Sequence, residues 1–144
     1  MKTNQAGLDL IRGYEKLELK AYRCPAGVLT IGFGHTGPDV SEGLEINPEQ
    51  AEELFRADVA RFEEAVNRRV CTPLSGNQFS ALVSLCFNIG VTAFHNSTLL
   101  KLVNKGDPIH AAAEFSRWVH AKGKRLQGLV ERREAERRLF LGLA

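Results

Sequence analysis

YRCPAGVLTIGFGHTG, residues 22–37, sets four glycines, a proline and a cysteine around a short alternating run. Pro25-Ala26-Gly27 supplies a turn, so Lys20–Arg23 and Val28–Ile31 are expected to pair as a hairpin. Gly32, Gly34, Gly37 and Pro38 then end it, and a third short strand is expected at Leu44–Ile46. The glycines at 27, 32, 34 and 37 fit neither G-x-G-x-x-G nor a P-loop, so a nucleotide site is not expected. Cys24, at the turn, has four possible employments: staple, metal ligand, nucleophile or filler.

On either side of this stretch the apolar period changes to that of helices. Leu8, Ile11 and then Tyr14 or Glu15 mark a short amphipathic helix over residues 4–14. Glu15 falls at its C-terminal end, where the helix dipole disfavours a carboxylate, so it needs a cationic partner or another reason to be there. Downstream, Asn47-Pro48-Glu49-Gln50 reads as an N-cap, a first-turn proline and a capping box. Ala51, Leu54, Phe55, Val59, Phe62, Val66 and Val70 continue as one helical stripe, and Asp58 sits on or beside it, where it must find a donor. Ser75-x-x-Gln78 is a second capping box, opening a segment, 76–89, that is apolar nearly all round and belongs in the middle of a core. Asn96 or Ser97 starts a further helix that Gly106 ends. Asp107-Pro108 caps another, with Ile109, Ala112, Ala113 and Phe115 inward. A final helix runs from about Leu126 to Leu141. The architecture expected is α+β: a small three-stranded antiparallel sheet over about 15–47, a linking helix over about 48–70, and a helical remainder over about 71–144 joined by the N-terminal helix. Together they are expected to form a single domain with a cleft between sheet and helices, the natural place for a ligand.

At 144 residues one domain of this size buries about 68–70% of its unfolded surface. Hydrophobic residues at 44% and charged ones at 25% are ordinary for a soluble globular protein. The net charge of +2 is small but uneven. No Lys, Arg, Asp or Glu lies between Val70 and Leu100, whereas 117–138 is densely basic, which suits an anionic polymer or a solvated helix face. Three cysteines cannot all pair within one chain, so free thiols are expected. The four histidines (35, 95, 110, 120) show no metal-ligand spacing, and no G-x-S-x-G is present, so neither a metal, another cofactor nor a serine triad is expected.

What remains is a constellation around the hairpin: Glu15, Cys24 and Thr30, spaced E-x8-C-x5-T. Strand alternation and the turn bring Cys24 towards the face that carries Thr30, with Glu15 across from both.

That stretch resembles the catalytic region of phage-type lysozymes, the endolysins of glycoside hydrolase family 24, in which glutamate, aspartate or cysteine, and threonine recur at this spacing. LKAYRCPAGVLTIGFGHTG matches throughout, and the resemblance continues through QFSALVSLCFNIG, FHNSTLLK and FSRWVHAKGKRLQGLVERREAE, covering essentially the whole chain. It implies a lysozyme-like fold and hydrolysis of the β-1,4 bond between N-acetylmuramic acid and N-acetylglucosamine in peptidoglycan, for host lysis.

By the same resemblance, Glu15 is the general acid, Thr30 positions water, and Cys24 stands where most relatives carry an aspartate. Cys24 then acts either as a thiolate or only as an aid in orienting water. Arg125 is expected to pair with Glu15, and His35 with Asp58 as a structural pair. Phe87, Asn88 and Ser97 match positions lining the sugar cleft, with Phe87 also suited to the core. Cys71 and Cys86 are expected to be buried or half-buried fillers. The partner implied is the glycan strand, with no nucleic acid and no stable membrane insertion. The protein is expected to act as a monomer, held in the host cytoplasm until a separate holin gives it access to the wall, because the N-terminus lacks a signal-peptide core. The alternatives are a lytic transglycosylase, separable by its 1,6-anhydro product, and a non-catalytic wall binder, in which Glu15 would be dispensable.

Overall fold

The computed structural model describes residues 1–143. Helix α1 (Gln5–Tyr14) leads into a three-stranded antiparallel sheet, β1 (Glu18–Arg23), β2 (Leu29–Gly32) and β3 (His35–Thr36), in the order β1-β2-β3. Six further helices follow among the described residues: α2 (Pro48–Arg69), α3 (Gly76–Ile89), α4 (Val91–His95), α5 (Thr98–Asn104), α6 (Pro108–Glu114) and α7 (Gln127–Phe140). A 3-10 turn at Phe115–Arg117 and a small hairpin, β4 (His120–Ala121) and β5 (Lys124–Arg125), lie between α6 and α7.

The first hairpin closes as its sequence requires. Cys24 N–H donates to Val28 O at 3.0 Å and Gly27 N–H to Cys24 O at 2.7 Å, with Gly27 at φ +81°. This is a type I turn with proline at its second position and a left-handed residue at its end. Tyr22 then faces Thr30, and Arg23 faces Leu29.

The third strand is His35–Thr36, not Leu44–Ile46. The Phe33–Gly34 turn, flanked by Gly32 at φ +67° and using Gly34 at φ +74°, reverses the chain at once, so His35 and Thr36 take the free edge of β2. Residues 44–46 dock on the opposite edge instead, through a Lys20–Glu45 bridge and 2.9 Å bonds from Ala21 N–H to Leu44 O and Ile46 N–H to Leu19 O.

Both capping boxes form. Asn47 and Gln50 exchange side-chain and backbone bonds at the start of α2, and Ser75 and Gln78 do so at the start of α3. Helix α3 is the centre of the core: Phe79 to Cys86 are all buried, and α1, α2, α4 and α7 pack round it. Ser80 and Ser84 are its small, fully buried polar positions. The N-terminal segment is tied down from α2 and α3, with Glu63 accepting from Thr3 N–H at 2.6 Å and Ser80 Oγ from Asn4 N–H at 2.9 Å.

Helix α6 turns a different face inward from the one its sequence pattern implied. Ala111, Ala112 and Phe115 share an arc of about 100° and are buried, while Ile109 is 69% exposed and Ala113 also faces out. Cys86 is fully buried, its thiol pushed up to about 12 by burial, whereas Cys71 is exposed.

Leu82→Ala is expected to lower the unfolding free energy by about 2–5 kcal/mol, and Ile109→Ser by less than about 0.5 kcal/mol. Urea titrations followed by circular dichroism read both.

Candidate active site

Glu15 is the C-cap of α1, its N–H donating to Ile11 O at 2.8 Å. The carboxylate is held on two sides. Arg132 Nη1 donates to Oε1 at 2.8 Å. On the other side Gly34 comes so close to Oε2 that a Cβ there would collide with it, and its φ of +74° independently favours glycine.

The cation at Glu15 is therefore Arg132, and the expectation for Arg125 is corrected. Lys122, at φ +52°, and Gly123, at φ +77°, make a two-residue turn, so β4 and β5 form a hairpin and Arg125 stays exposed opposite His120. The second turn of α7 then carries Arg132 inward, to 3% exposure.

Arg132 belongs to a buried ionic cluster with Arg133 and Glu136. Arg132 Nε donates to Glu136 Oε2 at 3.3 Å, and Arg133 Nε lies 2.7 Å from Oε1 as an ion pair without hydrogen-bond alignment. The Ser84 hydroxyl donates to Glu136 Oε2, and Arg132 Nη2 donates to Ser84 O at 3.2 Å. Arg133 reaches on to Trp118 O at 3.2 Å and Asn88 Oδ1 at 2.8 Å. Burial pushes the Glu136 carboxyl up, and its two arginines and Ser84 oppose this; burial likewise pulls Arg133 down. Sequence reasoning missed this cluster. Its one legible signal is Arg132-Arg133 three and four residues before Glu136, a spacing that puts them on one helix face.

Cys24 is half-buried at the hairpin turn. Burial alone would push its thiol up. Hydrogen bonds from the backbone at Val28 and Ala26, the Thr30 hydroxyl and the backbone at Gly27 outweigh that and hold it below the ordinary thiol value. Thr30 is 4% exposed, and its hydroxyl also reaches Val28 O at 2.9 Å. Burial, then the charges of Glu15, Glu18 and Cys24, push the neighbouring Tyr22 phenol up. Arg23 turns away from Cys24 and pairs with Glu42 at 2.9 Å.

His35 and Asp58 meet, Nδ1 to Oδ2 at 2.8 Å, which answers the donor requirement of Asp58 on α2. His35 Nε2 lies 3.0 Å from Asp39, and Arg61 lies 3.5 Å from Asp58. Burial lowers His35, but the hydrogen bonds and charges of Asp58 and Asp39 win and raise it above its usual value.

The three cleft candidates have different surroundings. Phe87 stacks in the core with Phe62 at 5.1 Å and Phe55 at 5.9 Å. Asn88 is exposed, with its oxygen taken by Arg133. Ser97 is buried as the N-cap of α5, donating to Phe94 O at 2.7 Å and accepting from Leu100 N–H at 3.1 Å. It forms one wall of a groove of about 370 Å³ that Glu114, Arg117 and Trp118 also line.

Glu15 is thus clamped between a buried arginine and a glycine turn, while Cys24 and Thr30 meet on the small sheet. The phage lysozyme family profile matches residues 12–136, and the chain belongs to that family. It is 49% identical over 144 residues to the endolysin of Acyrthosiphon pisum secondary endosymbiont phage 1, covering 97% of this chain and 98% of that one. It is 46% identical over 142 residues to the endolysin of Bacillus phage PZA, covering 97% of this chain but only 55% of that longer protein. The muramidase domain of SpmX from Asticaccaulis excentricus superposes with a TM-score of 0.89 at 42% identity, each chain being covered over 97%.

Arg132→Gln is expected to destabilise by about 3–5 kcal/mol, since it leaves two carboxylates short of a cation, and Arg125→Gln by less than about 0.5 kcal/mol. Asp58→Asn tests the His35 pair. Because the folded His35 pKa is raised, the pair's contribution is complete below about pH 6.5 and is lost as pH rises through the folded value. Asp58→Asn is therefore expected to lower Tm by roughly 3–6 °C at pH 5.5 and by much less at pH 9, in calorimetric scans.

Proposed function

We propose that this lysozyme cleaves the β-1,4 bond between N-acetylmuramic acid and N-acetylglucosamine with Glu15 as general acid, Cys24 as the anionic partner and Thr30 as the holder of water. Glu15 gives its proton to the leaving glycosidic oxygen. Thr30, whose hydroxyl proton is directed to Val28 O or Cys24 Sγ, keeps lone pairs free to accept from a water. That water adds to the anomeric carbon, and its proton passes to the Cys24 thiolate. Of the two roles open to Cys24, the thiolate is favoured by the three backbone groups and one hydroxyl that hold the thiol below its ordinary value. Arg132 and the Gly34 turn fix the carboxylate's direction, which is the observation that carries the assignment of Glu15.

Among the sugar-contacting candidates, the Asn88 carbonyl is engaged by Arg133, so its amide hydrogens are the groups left to meet a glycan acceptor. Phe87 acts through packing and Ser97 through the α5 cap. By analogy with the family, the protein works as a monomer on the glycan strand, accumulating in the host cytoplasm until a separate holin admits it to the wall.

Clearing of outer-membrane-permeabilised Gram-negative cells, read by turbidity, tests the assignment. Glu15→Gln is expected to lose at least about 100-fold in rate, and a Glu15→Gln protein that still clears them would leave a non-catalytic binder as the reading. Cys24→Ser is expected to slow lysis while Cys24→Asp retains it; full activity in Cys24→Ser would remove the thiolate. Products with a reducing end rather than a 1,6-anhydro ring distinguish hydrolysis from transglycosylation.

A further inference from the structure

We propose that His35 is a positioning residue for Glu15: its imidazolium, clamped between Asp58 and Asp39, fixes the β2–β3 turn against the acid. The proposal rests on the reading of Glu15 as the general acid.

Gly34 links the turn to the acid. Its backbone is one wall of the Glu15 site, close enough to Oε2 to leave no room for a Cβ. A shift of the turn by a fraction of an ångström therefore moves that wall, and misplacement of about 1 Å at a reacting group can cost about 100-fold in rate. The turn is tethered on both sides of Gly34. Before it, Phe33 packs on Phe55 of α2, with ring centroids 5.2 Å apart, an apolar contact indifferent to pH. After it, His35 bonds Asp58 of α2 through Nδ1 and Asp39 of the following loop through Nε2.

Both ring nitrogens face carboxylates, so both must donate, and only the imidazolium can do that. A neutral ring carries one N–H and must release either α2 or the loop. The same strand pairs Thr36 with Thr30, so the water-holding residue is tied to the same tether. The charged groups facing the ring are Asp58, with Arg61 behind it, from α2, and Asp39 from the loop; Glu15 at the end of α1 lies beyond Gly34. Loss of the His35 proton on the alkaline side is therefore expected to lower kcat while leaving the fold and KM largely in place.

Asp39 offers a test that spares the core, because its side chain is 59% exposed. Turnover of soluble peptidoglycan fragments is measured from pH 5 to 10 for the wild type, Asp39→Asn and His35→Asn, at a temperature where circular dichroism shows all three folded. The His35 ring is followed in parallel by NMR. In Asp39→Asn, the alkaline limb of kcat and the His35 titration are expected to move together to lower pH by about one unit, with KM changed less than twofold. His35→Asn is expected to lose at least tenfold in kcat near neutral pH and to lack a limb that follows the ring. A His35 titration that moves in Asp39→Asn while the kcat limb stays in place overturns the proposal, as does His35→Asn at wild-type kcat. An alkaline limb set by Cys24 would give the first of these results. Absence of glycan cleavage by the wild type would instead overturn the reading of Glu15 itself.

Discussion

Glu136 has no exposure to solvent, yet one of the arginines that surround it reaches to Glu15 at the candidate site. A buried carboxylate is costly unless cations and donors surround it, and here Arg132, Arg133 and Ser84 do so. The requirement runs both ways. Two adjacent guanidinium groups can enter the interior because one carboxylate lies between them, and Arg132 uses a further N–H to reach Glu15. The placement of Glu15, the proposed general acid, is thus tied to an ionic cluster on the last helix, and α3 accommodates that cluster by carrying serine at position 84 in its buried stretch.

The site couples two kinds of order. On the helical side the constraint is electrostatic: a chain of contacts runs from Asn88 through Arg133, Glu136 and Arg132 to Glu15. On the sheet side it is conformational: Gly27 closes one turn round Cys24, and Gly34 closes the next against Glu15. Glu15 is where the two meet. A carboxylate at the unfavourable end of a helix keeps its place because groups outside the helix hold it.

The local features were legible in the sequence because short-range rules govern them. Capping boxes at Asn47 and Ser75, the stripe on α2, the all-apolar α3 and the Pro25–Gly27 turn each follow from residues within a few positions of one another. Asp58 was legible as a residue in need of a partner, and His35 as that partner through the family resemblance. Misreadings occurred where a choice depended on distant surfaces. Leu44–Ile46 and His35–Thr36 both suit a strand, and the speed of the Phe33–Gly34 reversal decides between them. Ile109 and Ala111 both suit a core, and the packing of a two-turn helix chooses alanine. Arg125 and Arg132 are alike in a basic stretch, and the helix phase after an unnoticed two-residue hairpin selects the second. The buried cluster in α7 was the least legible, since RREAERR reads as a solvated charged face until its partner helix is known.

The contact between Arg132 and Glu15 joins residues 117 positions apart in sequence. The amino-terminal helix and the sheet, with all three candidate catalytic side chains, are synthesised long before the cation that orients the acid. Until the final helix docks, the candidate acid lacks the cation it meets in the folded protein. A chain cut anywhere before α7 would lack both the arginine that meets Glu15 and the ionic cluster behind it.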